Sequence, residues 1–315
     1  MNLQQLEYIV TVDKLKSFSK AAAACHVTQA TLSTMVKKLE SELELVLFDR
    51  KTNPILTTEC GRDIIDEAHK VLRHSSRLKE LASEARGVIE GELNIGIIPT
   101  IASNLLHRIL PQFLSAYPKL KLNVREITTQ HIIDQLRNGE LDAGIASTPL
   151  REDQLEEDIL YYEKLMVYGN TTSSETRFLT PKDIADEQVW LLEEGNCLTD
   201  QVINICALNS RQMDSNLSFS PNSFDSLLNI VDNLNGLTLI PELYCKDLPA
   251  ERQVKVRDFN PPYPVREVSL VYFRPYAKLR LISALSNEIR QLIKPTLQTS
   301  HLKNSEMQER KKTRC

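Results

Sequence analysis

Ser17-Phe18-Ser19-Lys20-Ala21-Ala22-Ala23-Ala24-Cys25-His26-Val27-Thr28-Gln29-Ala30-Thr31-Leu32-Ser33 decides how the start of this chain folds. Ser17 is an N-cap, because its hydroxyl can accept from an unpaired N–H of a first helical turn. Phe18, Ala21, Ala22 and Ala24 then mark a short helix, and its alanines permit a close crossing. His26-Val27 make a tight connection. Thr28 caps a further helix from Gln29 to about Glu40, with Leu32, Val36 and Leu39 inward. Two short helices joined by so brief a turn form a helix-turn-helix, whose second helix enters the major groove of DNA. Thr28, Gln29, Thr31, Ser33 and Thr34 sit near the start of that helix, and Lys37 follows. Gln can pair with an adenine edge, and Ser or Thr with phosphates or bases. The same positions would also serve as plain solvated surface.

Outward from that stretch, Leu3, Leu6, Ile9 and Val10 give one apolar helix face. Asp49 to Thr57, turning at Asn53-Pro54, reads as a β wing, with Arg50 as a phosphate or minor-groove contact. Residues 1–58 carry seven basic and six acidic side chains, a weak field for a DNA binder. Attraction would then rest on Lys37, Lys38, Arg50 and Lys51, doubled by dimerisation. From residue 59 to 90, Ile64, Ala68, Val71, Ser75, Leu78, Ala82, Ala85 and Ile89 alternate steps of four and three. That is a heptad seam and predicts a coiled-coil dimerisation helix.

Gly91 opens an α/β region. Strands at Leu93–Ile97, Leu120–Ile127 and Leu141–Ala146 alternate with helical segments, a rhythm that predicts a parallel sheet with covering helices. A second α/β unit begins near Leu165, and the strand Val265–Phe273 with the helix Leu279–Ile293 returns to the first. The predicted units are therefore 91–164 with 265–295, and 165–264, followed by a disordered polar tail from 296 to 315.

Within the second unit lies Gly195-Asn196-Cys197-Leu198-Thr199-Asp200-Gln201-Val202-Ile203-Asn204-Ile205-Cys206. Asn196 is a good cap, and Leu198, Val202 and Ile205 have helical spacing, so Cys197 falls in a first turn. Exposed N–H groups and the helix dipole lower a thiol pKa there. Two cysteines nine apart could be a redox pair, or two small buried hydrophobes.

Net charge is −4 over 315 residues, so no global basic field points to nucleic acid. The first residues lack a basic start and apolar core, and no run reaches membrane-span length, so a cytoplasmic protein is expected. The six histidines, at 26, 69, 74, 107, 131 and 301, have no zinc spacing, and no P-loop or dinucleotide motif appears. No metal or cofactor is expected. Cys25 and Cys60 read as packing residues, and Cys315 as an exposed thiol.

Taken together, Ser17–Ala22, Thr28–Ser33, Leu39-Glu40, Leu47-Phe48-Asp49-Arg50, Leu56-Thr57 and Gly61 resemble the DNA-binding domain of the LysR-type transcription regulators. Leu191–Gln201 with Cys206 resembles the sensing segment of the peroxide-responsive members of that family. The chain departs at Asn196, where those members usually have His, and at Glu44, where the family usually has Gly. The resemblance covers about residues 1–295. It implies a winged helix-turn-helix, a linker helix and a two-lobe, periplasmic-binding-protein-like effector domain. It implies a non-enzymatic activator that senses hydrogen peroxide through Cys197 and a Cys197–Cys206 disulfide. Gly96–Thr100 and Glu126–Thr129 match segments whose threonines bond the peroxide, so Thr100 and Thr129 join Asn196 and Asp200 as ligand-binding candidates. Val271–Pro275 matches a segment with an arginine near the sulfur, hence Arg274. The implied partners are double-stranded operator DNA, RNA polymerase and further copies of the chain, as dimer or tetramer. A regulator answering to a small organic effector, and a thiol peroxidase or dithiol oxidoreductase, are the alternatives.

Overall fold

Asn2 starts the first helix with a reciprocal cap. Its side chain accepts the Gln5 N–H at 2.9 Å, and the Gln5 side chain accepts the Asn2 N–H at 3.0 Å. The computed structural model describes residues 1–84, 91–150, 152–170, 178–180, 183–184, 187–192, 221–273, 278–302 and 307–308. It divides into two units, Met1–Val88 with Pro275–Lys278, and Ile89–Arg274 with Leu279–Cys315.

In the first unit, α1 (Leu3–Leu15), α2 (Phe18–Ala24) and α3 (Gln29–Leu43) pack around Leu6, Ile9, Val12, Ala21, Ala22, Leu32, Val36 and Leu39, all buried. Ser17 and Thr28 cap α2 and α3 through their hydroxyls. The wing is an antiparallel pair, β1 (Phe48–Asp49) with β2 (Leu56–Thr57). α4 (Glu59–Glu84) follows. Gly61 lies where a Cβ would press into the carbonyl oxygen of Leu47, so α4 can start this close to the wing only with glycine there. Ile65 and Ala68 of α4 join the core of α1–α3. Ala68, expected in a dimer seam, is therefore packed within its own unit, while Val71 and Leu78 are exposed. Cys60, expected in packing, is also exposed. It is the second residue of α4, and its sulfur meets the Thr58 hydroxyl and the Val46 carbonyl.

Glu44 ends α3 at φ +54°, in the left-handed region, with its N–H on the Glu40 carbonyl. A side chain there costs roughly 1–2 kcal/mol, partly offset by the extra unfolded-state freedom of glycine. Glu44→Gly is expected to stabilise the unit by about 0.5–1 kcal/mol. Urea unfolding checks it, and an unchanged midpoint counts against strain at Glu44.

The second unit runs β3 (Gly91–Ile97), α5 (Pro99–Ala116), β4 (Leu120–Glu126), α6 (Thr129–Arg137), β5 (Ala143–Thr148), β6 (Leu155–Asn170) and β7 (Phe178–Leu179). It continues with α7 (Phe224–Leu234), β8 (Gly236–Pro241), α8 (Glu242–Cys245), α9 (Ala250–Gln253), β9 (Val256–Phe259), β10 (Tyr263–Phe273), α10 (Leu279–Ile293) and β11 (Met307–Gln308). The strand order is β4-β3-β5-β10-β6-β9-β7, with β8 also on β6 and β11 on β10.

The sheet is mixed, which corrects the expectation of a parallel one. β4, β3 and β5 are parallel, but β10 is antiparallel to both β5 and β6. The reason is the path of the chain. It leaves the first core along the 16-residue β6 and returns along β10, so the two must run in opposite senses. The first half of β6 pairs with β10, and Leu165–Asn170 pairs with β8. Two cores result. One gathers Ile95, Ile97, Leu105, Ile145, Leu270 and Leu285, and the other gathers Val167, Tyr168, Leu228, Leu239 and Phe259. The expected disorder from residue 296 also fails as far as residue 302. Leu297 is buried in the first core, the Thr299 hydroxyl donates to the Tyr162 carbonyl, and Gln298 N–H reaches Glu242 at 2.8 Å. Among the described residues no helix is long and apolar enough to cross a membrane.

Candidate functional site

In the first unit the recognition helix is α3. Its N-cap Thr28 holds the Thr31 N–H at 3.2 Å and meets the Thr31 hydroxyl at 2.8 Å. Gln29 is exposed, and its carbonyl oxygen accepts from the Ser19 hydroxyl at 2.8 Å, which orients the amide across the α2–α3 turn. Thr31, Thr34, Lys37 and Lys38 are exposed. Ser33 and Arg50 differ. Arg50 donates to the Ser33 hydroxyl at 3.0 Å and to Glu40 Oε2 at 2.6 Å, and its guanidinium lies 4.6 Å from the Phe18 ring centre. Glu40 Oε1 also accepts the Leu47 N–H at 2.9 Å. Arg50 therefore ties the wing to α2 and α3 with its charge balanced, and the free positive charge of this face falls to Lys37, Lys38 and Lys51.

Gln29→Ala is accordingly expected to relax base preference, while Lys37→Ala weakens operator and random DNA alike and lowers the salt slope by about one. Anisotropy titrations at several salt concentrations test this. Equal losses on both DNAs from both changes would sink the distinction.

The second unit holds a crevice of about 90 Å³. One side is Pro99, Thr100 and Ser103 at the start of α5, with Glu126 at the end of β4. The other is Asn222, Ser223, Phe224 and Asp225 at the start of α7, with Tyr244. Open α/β sheets place ligands here, beyond the carboxyl ends of strands. Ser223 caps α7 through the Ser226 N–H, and Tyr244 donates to Asp225 at 2.9 Å. Burial first, then the Asp225 bond, pushes the Tyr244 hydroxyl well up, so it stays neutral.

Behind Thr100 stands Arg266. Its Nη1 donates to the Thr100 hydroxyl oxygen at 3.1 Å and its Nη2 to the Thr100 carbonyl at 3.2 Å. Nε and Nη2 reach Glu163 Oε1 at 3.0 and 2.6 Å. Arg266 is 1% exposed and Glu163 0%, so the pair is fully buried. Thr100 thus lies in the crevice with its hydroxyl hydrogen still available to donate. Thr129 is the first residue of α6, half-buried, and is not part of this crevice lining. Asn196, Cys197, Asp200, Cys206 and Arg274 lie outside the described residues. The sequence reading missed Arg266. Its signal was an arginine, followed by Glu267, inside the otherwise uncharged strand run Val265–Val271. Among the described residues of this unit the one cysteine is Cys245, and burial pushes its thiol well up, which leaves it unreactive.

The family profile described as "LysR substrate binding domain" matches residues 86–294, and "Bacterial regulatory helix-turn-helix protein, lysR family" matches residues 3–62. The chain belongs to the LysR family. This LysR-type regulator is 34% identical over 305 residues to the "Hydrogen peroxide-inducible genes activator" of Pectobacterium carotovorum subsp. carotovorum, covering 95% of this chain and 99% of that one. It is 34% identical over 285 residues to the "DNA-binding transcriptional dual regulator OxyR" of Escherichia coli K12, covering 89% and 92%. Among solved structures, a full-length OxyR variant from Pseudomonas aeruginosa superposes with a TM-score of 0.78 at 30% identity, covering 93% of this chain and 98% of that one.

Proposed function

We propose that this LysR-type regulator senses hydrogen peroxide and couples it to operator binding. The observation that carries the reading is Thr100, which lines a small crevice and whose hydroxyl is backed by the Arg266 guanidinium. A crevice of about 90 Å³ suits a molecule of peroxide size. The helix-turn-helix disfavours a peroxidase.

In this reading the Cys197 thiolate attacks one peroxide oxygen. The O–O bond breaks, hydroxide leaves, and Cys197 becomes a sulfenic acid. The Cys206 thiol then displaces water from that sulfenic acid and forms the disulfide. Thr100 donates to the peroxide, and an arginine favours thiolate and leaving oxygen: Arg274 as the resemblance implies, with Arg266 standing behind Thr100. Thr129, Asn196 and Asp200 remain candidates for holding the peroxide. Thr28, Gln29, Thr31, Thr34 and Lys37 face the DNA, with Ser33 and Arg50 bracing the wing behind them. The effector region works as a two-lobe, periplasmic-binding-protein-like domain. The protein acts in the cytoplasm as a dimer or tetramer on operator DNA, with RNA polymerase as its target. Peptide-resolved mass spectrometry after stoichiometric peroxide tests this: a Cys197–Cys206 bond is expected, and an unmodified Cys197 would overturn it.

A further inference from the structure

The second unit holds another cavity, of about 440 Å³, which shares no lining residue with the crevice at Thr100. Met166 of β6, Cys245 of α8 and Val256 of β9 give it an apolar side, and Cys245 and Val256 pack against the second core. Gln253, which ends α9, and Gln298 also line it and are exposed. Its charges come from Glu242 and Lys246, one helical turn apart at the two ends of α8. A mostly apolar hollow with a few polar groups is the usual form of a small-molecule site.

Glu242 is 2% exposed, a depth at which both carboxylate oxygens need partners. Only one of them has a partner. Oε1 accepts the Gln298 N–H at 2.8 Å and stands 3.6 Å from the Lys246 ammonium. Oε2 has no hydrogen-bond partner among the described residues. Lys164 is committed to Asp258 and to the Tyr263 ring, so it does not serve Oε2. Burial pushes the Glu242 carboxyl up, as expected of a carboxylate short of positive charge. Lys246 donates to the Thr296 carbonyl and, being exposed, keeps donors for an anion.

We propose that this cavity binds an apolar α-amino acid as its zwitterion, with the ammonium on Glu242, the carboxylate on Lys246 and the side chain against Met166 and Val256. The lining charges cancel, which disfavours a simple ion of either sign. They also lie 3.6 Å apart, so one small molecule can meet both only if its own two charges sit on neighbouring atoms, as in an α-amino acid. The inference does not rest on peroxide sensing. It gives the regulator a second input beside the first, because α8 carries Tyr244 to the crevice and Glu242 and Cys245 to this cavity. Gln298 follows Leu297, which is anchored in the first core, so an occupant ties α8 to that closing segment.

Isothermal titration of the full chain with L-leucine tests the site. The comparison probes are isoamylamine, which lacks the carboxylate, and isocaproate, which lacks the amine. Leucine is expected to bind about tenfold tighter than either, the share of one charge-assisted contact. In Glu242→Gln leucine is expected to weaken by about tenfold and to lose its advantage over isocaproate. In Lys246→Met it is expected to weaken by about as much and to lose its advantage over isoamylamine. A merely structural role would weaken all three probes alike. Gln253→Trp puts a bulky ring on the lining at an exposed position and is expected to exclude all three probes. That variant and the order of the probes on the native chain decide the matter even if Glu242→Gln does not fold. Leucine binding untouched by Gln253→Trp would place the ligand elsewhere and overturn the inference. So would leucine no tighter than its two stripped analogues, or no leucine binding up to about 10 mM.

Discussion

Leu78→Asp is expected to abolish operator binding. In one chain Leu78 is 69% exposed and Val71 41%, seven positions apart on one helix. Leucine and valine at that spacing want a second helix, and α4, with 26 residues, is long enough to offer one. Ile65 and Ala68 root the start of α4 in the core of α1–α3. Further along, Leu72 still packs against that core, whereas Val71 and Leu78 are held out in solvent. Burying one leucine contributes about 2 kcal/mol, and a two-fold pair counts it twice, so losing it alone weakens dimerisation roughly a thousandfold. Two aspartates facing each other in an apolar seam add desolvation and repulsion. A monomer can engage one half-site only, with the weak field of a recognition face whose Arg50 is already paired. Sedimentation and anisotropy with operator DNA check this. A monomeric Leu78→Asp protein that still bound its operator tightly would show that α4 does not assemble the reader.

The helix-turn-helix was legible because its signals are local. Ser17 and Thr28 announce two helix starts, and both hydroxyls do cap. Leu32, Val36 and Leu39 mark the inner face, and all three are fully buried. The wing was legible from Asn53-Pro54 between two extended pairs. β6 was not. Its first half reads Leu155-Glu156-Glu157-Asp158-Ile159-Leu160-Tyr161-Tyr162-Glu163-Lys164, too charged to signal a central strand. Those charges are absorbed by partners distant in sequence, Asp158 by Ser286 and Arg290, Glu163 by Arg266, and Lys164 by Asp258. A single-residue pattern cannot see such pairs. The same blindness explains why Arg266 was not singled out beside Arg274, which lies outside the described residues. A motif at a strand's end drew the reading, whereas the arginine in the strand's interior declares itself only once Thr100 and Glu163 stand beside it. Cys60 erred for a local reason: it sits exposed at the start of α4, its sulfur against the Thr58 hydroxyl and the Val46 carbonyl, which the composition around it does not reveal.

The largest functional effect is expected at the cysteines. Cys197→Ser is expected to remove the peroxide response entirely, because serine at neutral pH offers no thiolate. Cys206→Ser is expected to react with peroxide but to stop at the sulfenic acid. The two variants then separate chemistry from switching. The apolar spacing of residues 197–206 reads as one helix, in which nine steps of about 1.5 Å separate the two sulfurs' residues by roughly 13–14 Å along the axis. A disulfide needs Cα atoms within about 7 Å, so the bond requires that turn of chain to unwind. Unwinding a helix of that spacing would expose Leu198, Val202 and Ile205, at roughly 1.5–3 kcal/mol for each side chain such a helix buries fully. The disulfide offsets that loss, and one sequence acquires two stable arrangements. The crevice at Thr100 and Arg266 would see peroxide in the first arrangement, and operator binding would report the second. Hydrogen exchange across residues 195–212 in reduced and oxidised protein tests the link. Protection is expected to fall there on oxidation in the native chain and to stay unchanged in Cys206→Ser. Equal protection in both states, with the disulfide confirmed, would mean that the bond forms without unwinding and that the signal leaves the site by another route.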